Sequence, residues 1–120
     1  MRLPEEFRTR TKKYASAVIR LYRALPKNRR DVQVLGHQLL RSGTSVAAHI
    51  REASRARSDA EFCSKINGAL QEADESQLWI ELLNEDCGID IADLQQLHQE
   101  TNELISIFAT MAKRTRQKLS

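Results

Sequence analysis

Apolar side chains return every three or four positions along this chain, and no interval alternates with a period of two for long enough to make a strand. Phe7, Thr11, Tyr14, Val18, Leu21, Tyr22 and Leu25 form one face of a helix predicted over residues 4–25. Pro4 fits its first turn, where a missing N–H costs nothing. Glu5 and Glu6 suit the positive end of the helix dipole, and Pro26 stops the helix. A second helix is predicted over 31–55, with Val32, Leu35, Leu39, Val46, Ile50 and Ala53 on its stripe. Its middle, Ser42-Gly43-Thr44-Ser45, leaves two readings open. One is a break; the other, preferred, is a close crossing with a neighbouring helix, which small side chains permit.

Ser58-Asp59-Ala60-Glu61 reads as a capping box, in which Ser58 accepts from the Glu61 N–H and Glu61 reaches back. It opens a third helix over 59–87, whose face is Phe62, Ile66, Ala69, Ala73, Ile80, Leu83 and Cys87, with Gly88 as the stop. A fourth, over 91–115, starts near Asp90 as N-cap, carries Leu94, Leu97, Leu104, Ile105, Phe108 and Ala112, and frays into a basic tail. Short turns make consecutive helices antiparallel neighbours. The expectation is an all-α, up-and-down four-helix bundle, one domain over residues 1–120.

With 41% hydrophobic and 29% charged residues in 120, the chain has material for one core and a solvated surface. The N-terminal run has no apolar segment like that of a signal peptide, and no stretch nears the ~20 apolar residues that span a bilayer. A cytoplasmic protein without membrane contact is expected. Two cysteines, Cys63 and Cys87, are too few for a disulfide framework or a zinc cluster.

A net charge of +3 conceals a strong pattern. Residues 1–30 carry ten Lys and Arg against Glu5 and Glu6, residues 31–112 carry five against fourteen acids, and 113–120 carry four against none. On the first helix Lys12, Lys13, Arg20, Arg23 and Lys27 fall on the side away from the apolar face. Together with Arg114 and Arg116 they are the candidate nucleic-acid-binding residues, neutralising phosphates without reading bases. The plainer alternative is a solvated face of one sign. Tyr14 and Tyr22 belong to the core side, so no base-stacking platform is expected. The acidic third helix is a natural electrostatic partner for the first, within or between subunits.

On the third helix Leu78 and Leu82 point almost opposite to the core stripe, with Trp79 to one side. Such a cluster more often marks a contact surface than an isolated exposed leucine does. Leu78, Trp79 and Leu82 are therefore the candidate oligomer interface, with a different protein partner as the alternative.

Catalytic chemistry finds no support. Gly36, Gly43, Gly68 and Gly88 are scattered and make no phosphate loop. Nothing orients Cys63 with His49, or Cys87 with His98, as a nucleophile and base, and His37 and His98 read as surface histidines. His49-x-x-Glu52 and Glu72-x-x-Glu75 are the nearest approach to a metal set, but the Glu-x-x-His pairs of a di-metal bundle are absent. Glu72 and Glu75 are expected to pair with basic groups nearby. No enzyme activity, catalytic residue, metal or cofactor is expected.

Several stretches, taken together, are distinctive. They are Gln38-Leu39-Leu40-Arg41-Ser42, Ser45 through Ala53, the Ser58 to Phe62 cap, and Glu72 through Leu83 with its Gln77-Leu78-Trp79 run. Over Phe7 to Leu104 the chain resembles the bacterial four-helix-bundle family named for proteins encoded in 23S rRNA intervening sequences. That family is similar to the accessory variability-determinant proteins of diversity-generating retroelements. The resemblance implies a homopentameric, barrel-like ring without known catalysis. By analogy it implies association with RNA or DNA and with a reverse transcriptase as protein partner; a protein–protein adaptor with no nucleic-acid role is the alternative. The chain departs from the family's Asn-Ile-x-Glu-Gly at His49 and Ala53, which puts the Asn contact and the glycine turn in doubt.

Overall fold

In the computed structural model residues 3–119 are described, so Met1, Arg2 and Ser120 of the expected domain lie outside the described residues. Among the described residues there are four helices and no strand: α1 (Glu5–Ala24), α2 (Arg30–Ser54), α3 (Asp59–Glu85) and α4 (Ala92–Leu119). Local chemistry explains most of their ends. Leu25, held extended by the proline after it, closes α1 with its N–H on the Tyr22 carbonyl at 3.3 Å. Ser58 Oγ accepts from the Glu61 N–H at 3.0 Å; the Glu61 carboxylate lies 3.5 Å from Arg57 rather than serving the other half of the box. Gly88, at φ +72°, lets the Ile89 N–H turn back onto the Leu83 carbonyl at 3.0 Å.

Two ends differ from expectation. Asp90 does not cap α4; the Ile91 carbonyl accepts the first bonds, from Leu94 and Gln95. At its far end α4 continues through Leu119 instead of fraying, because Met111, Ala112 and Thr115 extend its apolar stripe. Thr115 is buried and Leu3 packs into the same core, so the last turns of α4 have tertiary support.

α1 packs on α2, α2 on α3 and α3 on α4, while α4 closes back only lightly on α1 and the backbones of α1 and α3, on a diagonal, stay apart. The result is an antiparallel four-helix bundle 49 × 22 × 20 Å in extent. Val18, Leu39, Ile50, Ile66, Ile80 and Phe108 are among its fully enclosed side chains. The Ser42–Ser45 stretch is unbroken helix. Its small side chains bring α1 close: Gly43 lies against Val18, and Gly36 against Leu25 and Tyr22.

Midway along the bundle the apolar core is interrupted by a polar layer. The Tyr14 hydroxyl and Thr101 Oγ1 are 2.7 Å apart, as are Ser42 Oγ and Ser76 Oγ. Thr101 and Ser76 also donate to carbonyls one turn back, at 2.6 and 2.8 Å, so these buried hydroxyls have partners. Burial is the main reason the Tyr14 phenol is pushed up to about 12.

Candidate functional site

Lys12, Lys13, Arg20 and Arg23 are exposed on α1 and Lys27 in the turn after it, and among the described residues none has an ion pair. Lys27 donates to the Arg23 carbonyl at 2.9 Å, a common use of lysine at a helix C-terminus. Arg10 behaves differently. Its guanidinium takes Glu100 in a fork at 2.8 and 2.7 Å and reaches Glu103 at 3.1 Å. The hydrogen bond to Glu100 raises its pKa further, so Arg10 stays charged but is neutralised within the fold.

Three of these five cations line two separate grooves. Lys13 and Arg20 lie on the α4 side, lining a depression of about 300 Å3 with Asp93, Gln96 and Glu100. Lys12 lies on the α2 side, in a groove of about 370 Å3 with Arg8, Ala47, Ala48, Arg51, Glu52 and Arg55. The α4 candidates stand apart from both. Arg114 rims a mainly apolar recess of about 710 Å3 with Pro4, Phe7, Phe62, Ile107 and Met111. Arg116 is beside Lys113 and Leu119 on another side of the same helix end. Thus the seven residues do not form one continuous surface. Arg8, Arg51 and Arg55 escaped the sequence reading because their convergence depends on the α1–α2 register. Gly43 opposite Val18 sets that register, and the sequence suggested only that some close crossing occurs there.

The expected pairing of α1 with α3 does not occur within the protomer, where these helices are diagonal. Arg41 of α2 instead bridges Glu72 and Glu75 of α3 at 3.3 and 2.8 Å. These contacts, with Ser42 opposite Ser76, also fix the α2–α3 register. By that register Val34 and Leu35 of α2 lie at the level of Leu82 to Asn84 of α3. Leu78 is 47% exposed and Val34 50%, while Leu82, Leu35 and Trp79 are half-buried. Leu82 is thus less outward than its spacing suggested. The Trp79 ring packs on the core with its indole N–H buried and without a hydrogen-bond partner.

The remaining reactive side chains are dispersed. His49 does not meet Cys63: its ring lies against Gly68, where an added β-carbon would sit 2.7 Å from Cε1, while Cys63 Sγ is 3.5 Å from Asn67. His98 lies 3.3 Å from Glu81 and His37 3.3 Å from the Tyr22 hydroxyl. Cys87 is far from either arrangement, beside Asp31 and Arg29. Burial raises its thiol pKa, and a hydrogen bond from Arg29 lowers that of Asp31. Among the described residues no three His, Cys, Asp or Glu side chains converge as a metal site, and no helix is long and apolar enough to cross a membrane. Ala53, where the resemblance implies a glycine turn, is buried within α2, which runs on to Ser54.

Comparison with known proteins adds two findings. The family model described as 23S rRNA-intervening sequence protein matches residues 6–110. The crystal structure of a protein with unknown function from the S23 ribosomal protein family of Bacteroides thetaiotaomicron VPI-5482 is similar at 34% identity and TM-score 0.79. The match covers 88% of this chain and 97% of that one. No curated protein matches.

Proposed function

Since the chain belongs to the 23S rRNA-intervening sequence protein family, we propose that it is a non-enzymatic, homo-oligomeric scaffold that holds RNA or DNA by its phosphates along α1. The observation that carries this reading is the contrast within one helix. Arg10, facing α4, is neutralised by Glu100 and Glu103, whereas Lys12, Lys13, Arg20, Arg23 and Lys27 have no acidic partner among the described residues. Unpaired cations along a helix attract a polyanion through release of its counterions, which requires no base readout.

The family resemblance favours a homopentameric ring in which these cations would recur, and the absence of a long apolar stretch favours a cytoplasmic location. The resemblance to the variability-determinant proteins also favours a reverse transcriptase as a further partner. The apolar side chains of Leu78, Trp79 and Leu82, extended by Val34, supply a surface for closing such a ring.

Filter binding at low salt tests the nucleic-acid role. Retention of RNA or DNA that falls steeply with salt and tolerates changes of sequence supports it; no retention of single or double strands removes it. Lys12→Glu, Arg20→Glu and Arg23→Glu together should weaken retention while helicity is unchanged. A partner captured from nuclease-treated lysate, with no retention of nucleic acid, would instead favour the protein-only adaptor.

A further inference from the structure

Beyond the α1 ridge, the structure holds a more built feature. Arg8 and Lys12 on α1 are one turn apart, as are Arg51 on α2 and its C-cap Arg55, and the two pairs line one groove together with Ala47 and Ala48. Like charges at i, i+4 repel, and here two such pairs are juxtaposed. The one carboxylate in the groove, Glu52, is engaged elsewhere, 3.2 Å from Lys65 and 3.7 Å from His49. Lys12, Arg51 and Arg55 have no ion pair among the described residues. Arg8 has only a 3.4 Å contact with the largely exposed Glu5, and its Nε is buried with no hydrogen-bond partner. A buried donor without an acceptor is costly, and a turn of the Arg8 side chain that brought Nε to an anion's oxygen would relieve it.

We propose that this α1–α2 groove seats a backbone phosphate of a bound nucleic acid, held by Arg8, Lys12, Arg51 and Arg55. The small side chains of Ala47 and Ala48 give a phosphodiester room to enter between the two helices, and the guanidinium forks of Arg8, Arg51 and Arg55 suit its paired oxygens. The inference rests on the nucleic-acid reading above and adds three residues to it from outside the α1 ridge.

The test measures fluorescence anisotropy of labelled uridine and adenosine homopolymers against salt, using the full chain, an Arg51→Ala, Arg55→Ala variant and an Ala48→Glu variant. Loss of the one phosphate contact the groove makes should leave the slope of log affinity against log salt shallower by up to about 0.7 for single strands, equally for both polymers. Ala48→Glu places an acid among the four cations. It should raise the melting temperature while weakening the polymer, an opposition that loss of fold does not produce. Binding by the wild type with an unchanged slope in the double variant overturns the groove and leaves the α1 reading intact. No binding by the wild type overturns both. A melting temperature raised by inorganic phosphate, with no effect of either variant on polymer binding, would make the groove a free-phosphate site and overturn its assignment to a nucleic-acid backbone.

Discussion

Gly43 of α2 faces the isopropyl group of Val18 in α1 so closely that an added β-carbon would sit 2.7 Å from Val18 Cγ2 and 3.0 Å from Cγ1. Within a helix, Gly→Ala ordinarily stabilises by roughly 0.5–1 kcal/mol. Here both residues are buried, and the extra carbon must displace a β-branched side chain with restricted rotamers. Gly43→Ala should therefore destabilise by about 1–3 kcal/mol in urea unfolding. Val18→Ala in the same chain should recover part of that loss, giving a double-mutant coupling of at least about 0.5 kcal/mol. Simple additivity would mean that the two helices are not locked at this point.

The His49 ring stands in the same relation to Gly68, whose added β-carbon would lie 2.7 Å from Cε1 and 2.8 Å from Nδ1. Gly68→Ala should cost stability with His49 in place, about 1–3 kcal/mol by overpacking. With His49→Asn, the residue typical of the family, a shorter side chain should accept the alanine with less loss. Thermal melts of the two single variants and the double variant decide the matter; an equal cost in both backgrounds would show that His49 is not the obstruction.

Tyr14 links the polar layer to pH. Its folded pKa of about 12 lies above the ordinary value of 10.0, chiefly through burial. The native state therefore keeps the proton where the unfolded chain has lost it. This contribution is fully present below pH 10 and is lost as pH rises toward 12. Tyr14→Phe should cost about 1 kcal/mol at neutral pH, because the hydroxyl's bond to Thr101 disappears while Thr101 keeps the Leu97 carbonyl. The variant's stability should fall less steeply than the wild type's above pH 10. Parallel curves from denaturant titrations would place the alkaline sensitivity elsewhere.

Arg10 provides a control within the charged surface. Its fork to Glu100 joins partly exposed side chains, so Arg10→Ala should cost no more than about 1 kcal/mol. Since Glu100 and Glu103 already neutralise it, the variant should leave the salt slope of RNA binding unchanged, unlike Arg20→Ala or Arg23→Ala. A slope as reduced as theirs would show that the pair opens when the polymer binds.

The four apolar stripes, the Ser58 cap and the Gly88 stop were legible in the sequence because each depends on residues a turn or so apart. The close approach at Gly43 was legible in kind, though not its partner Val18. Interhelical register, in contrast, comes from pairs such as Tyr14 with Thr101, which are 87 residues apart. Everything dependent on register was hidden. Nothing local to the sequence tells that α4 neutralises Arg10, or that Arg51 and Arg55 share a groove with Arg8 and Lys12. Within one protomer the α1–α3 attraction is not realised for a related reason: the charge totals were right, but the helices concerned are on a diagonal.

Assembly depends on side chains the protomer leaves partly uncovered. Leu78 and Val34 are 47% and 50% exposed, on adjacent helices. Burying a leucine or valine side chain fully is worth roughly 1.5–3 kcal/mol, and introducing a charge there reverses the sign. Leu78→Glu with Leu82→Glu should reduce the mass seen by light scattering to that of the 13.7 kDa chain. Because Leu82 is half-buried, that pair carries some risk to the protomer itself. Val34→Lys with Leu78→Lys touches only the more exposed positions and should dissociate the assembly with helical circular dichroism intact. If the wild type already scatters as one chain in dilute solution, these apolar side chains are simply solvated. If both variants keep a larger mass, the copies meet through another face.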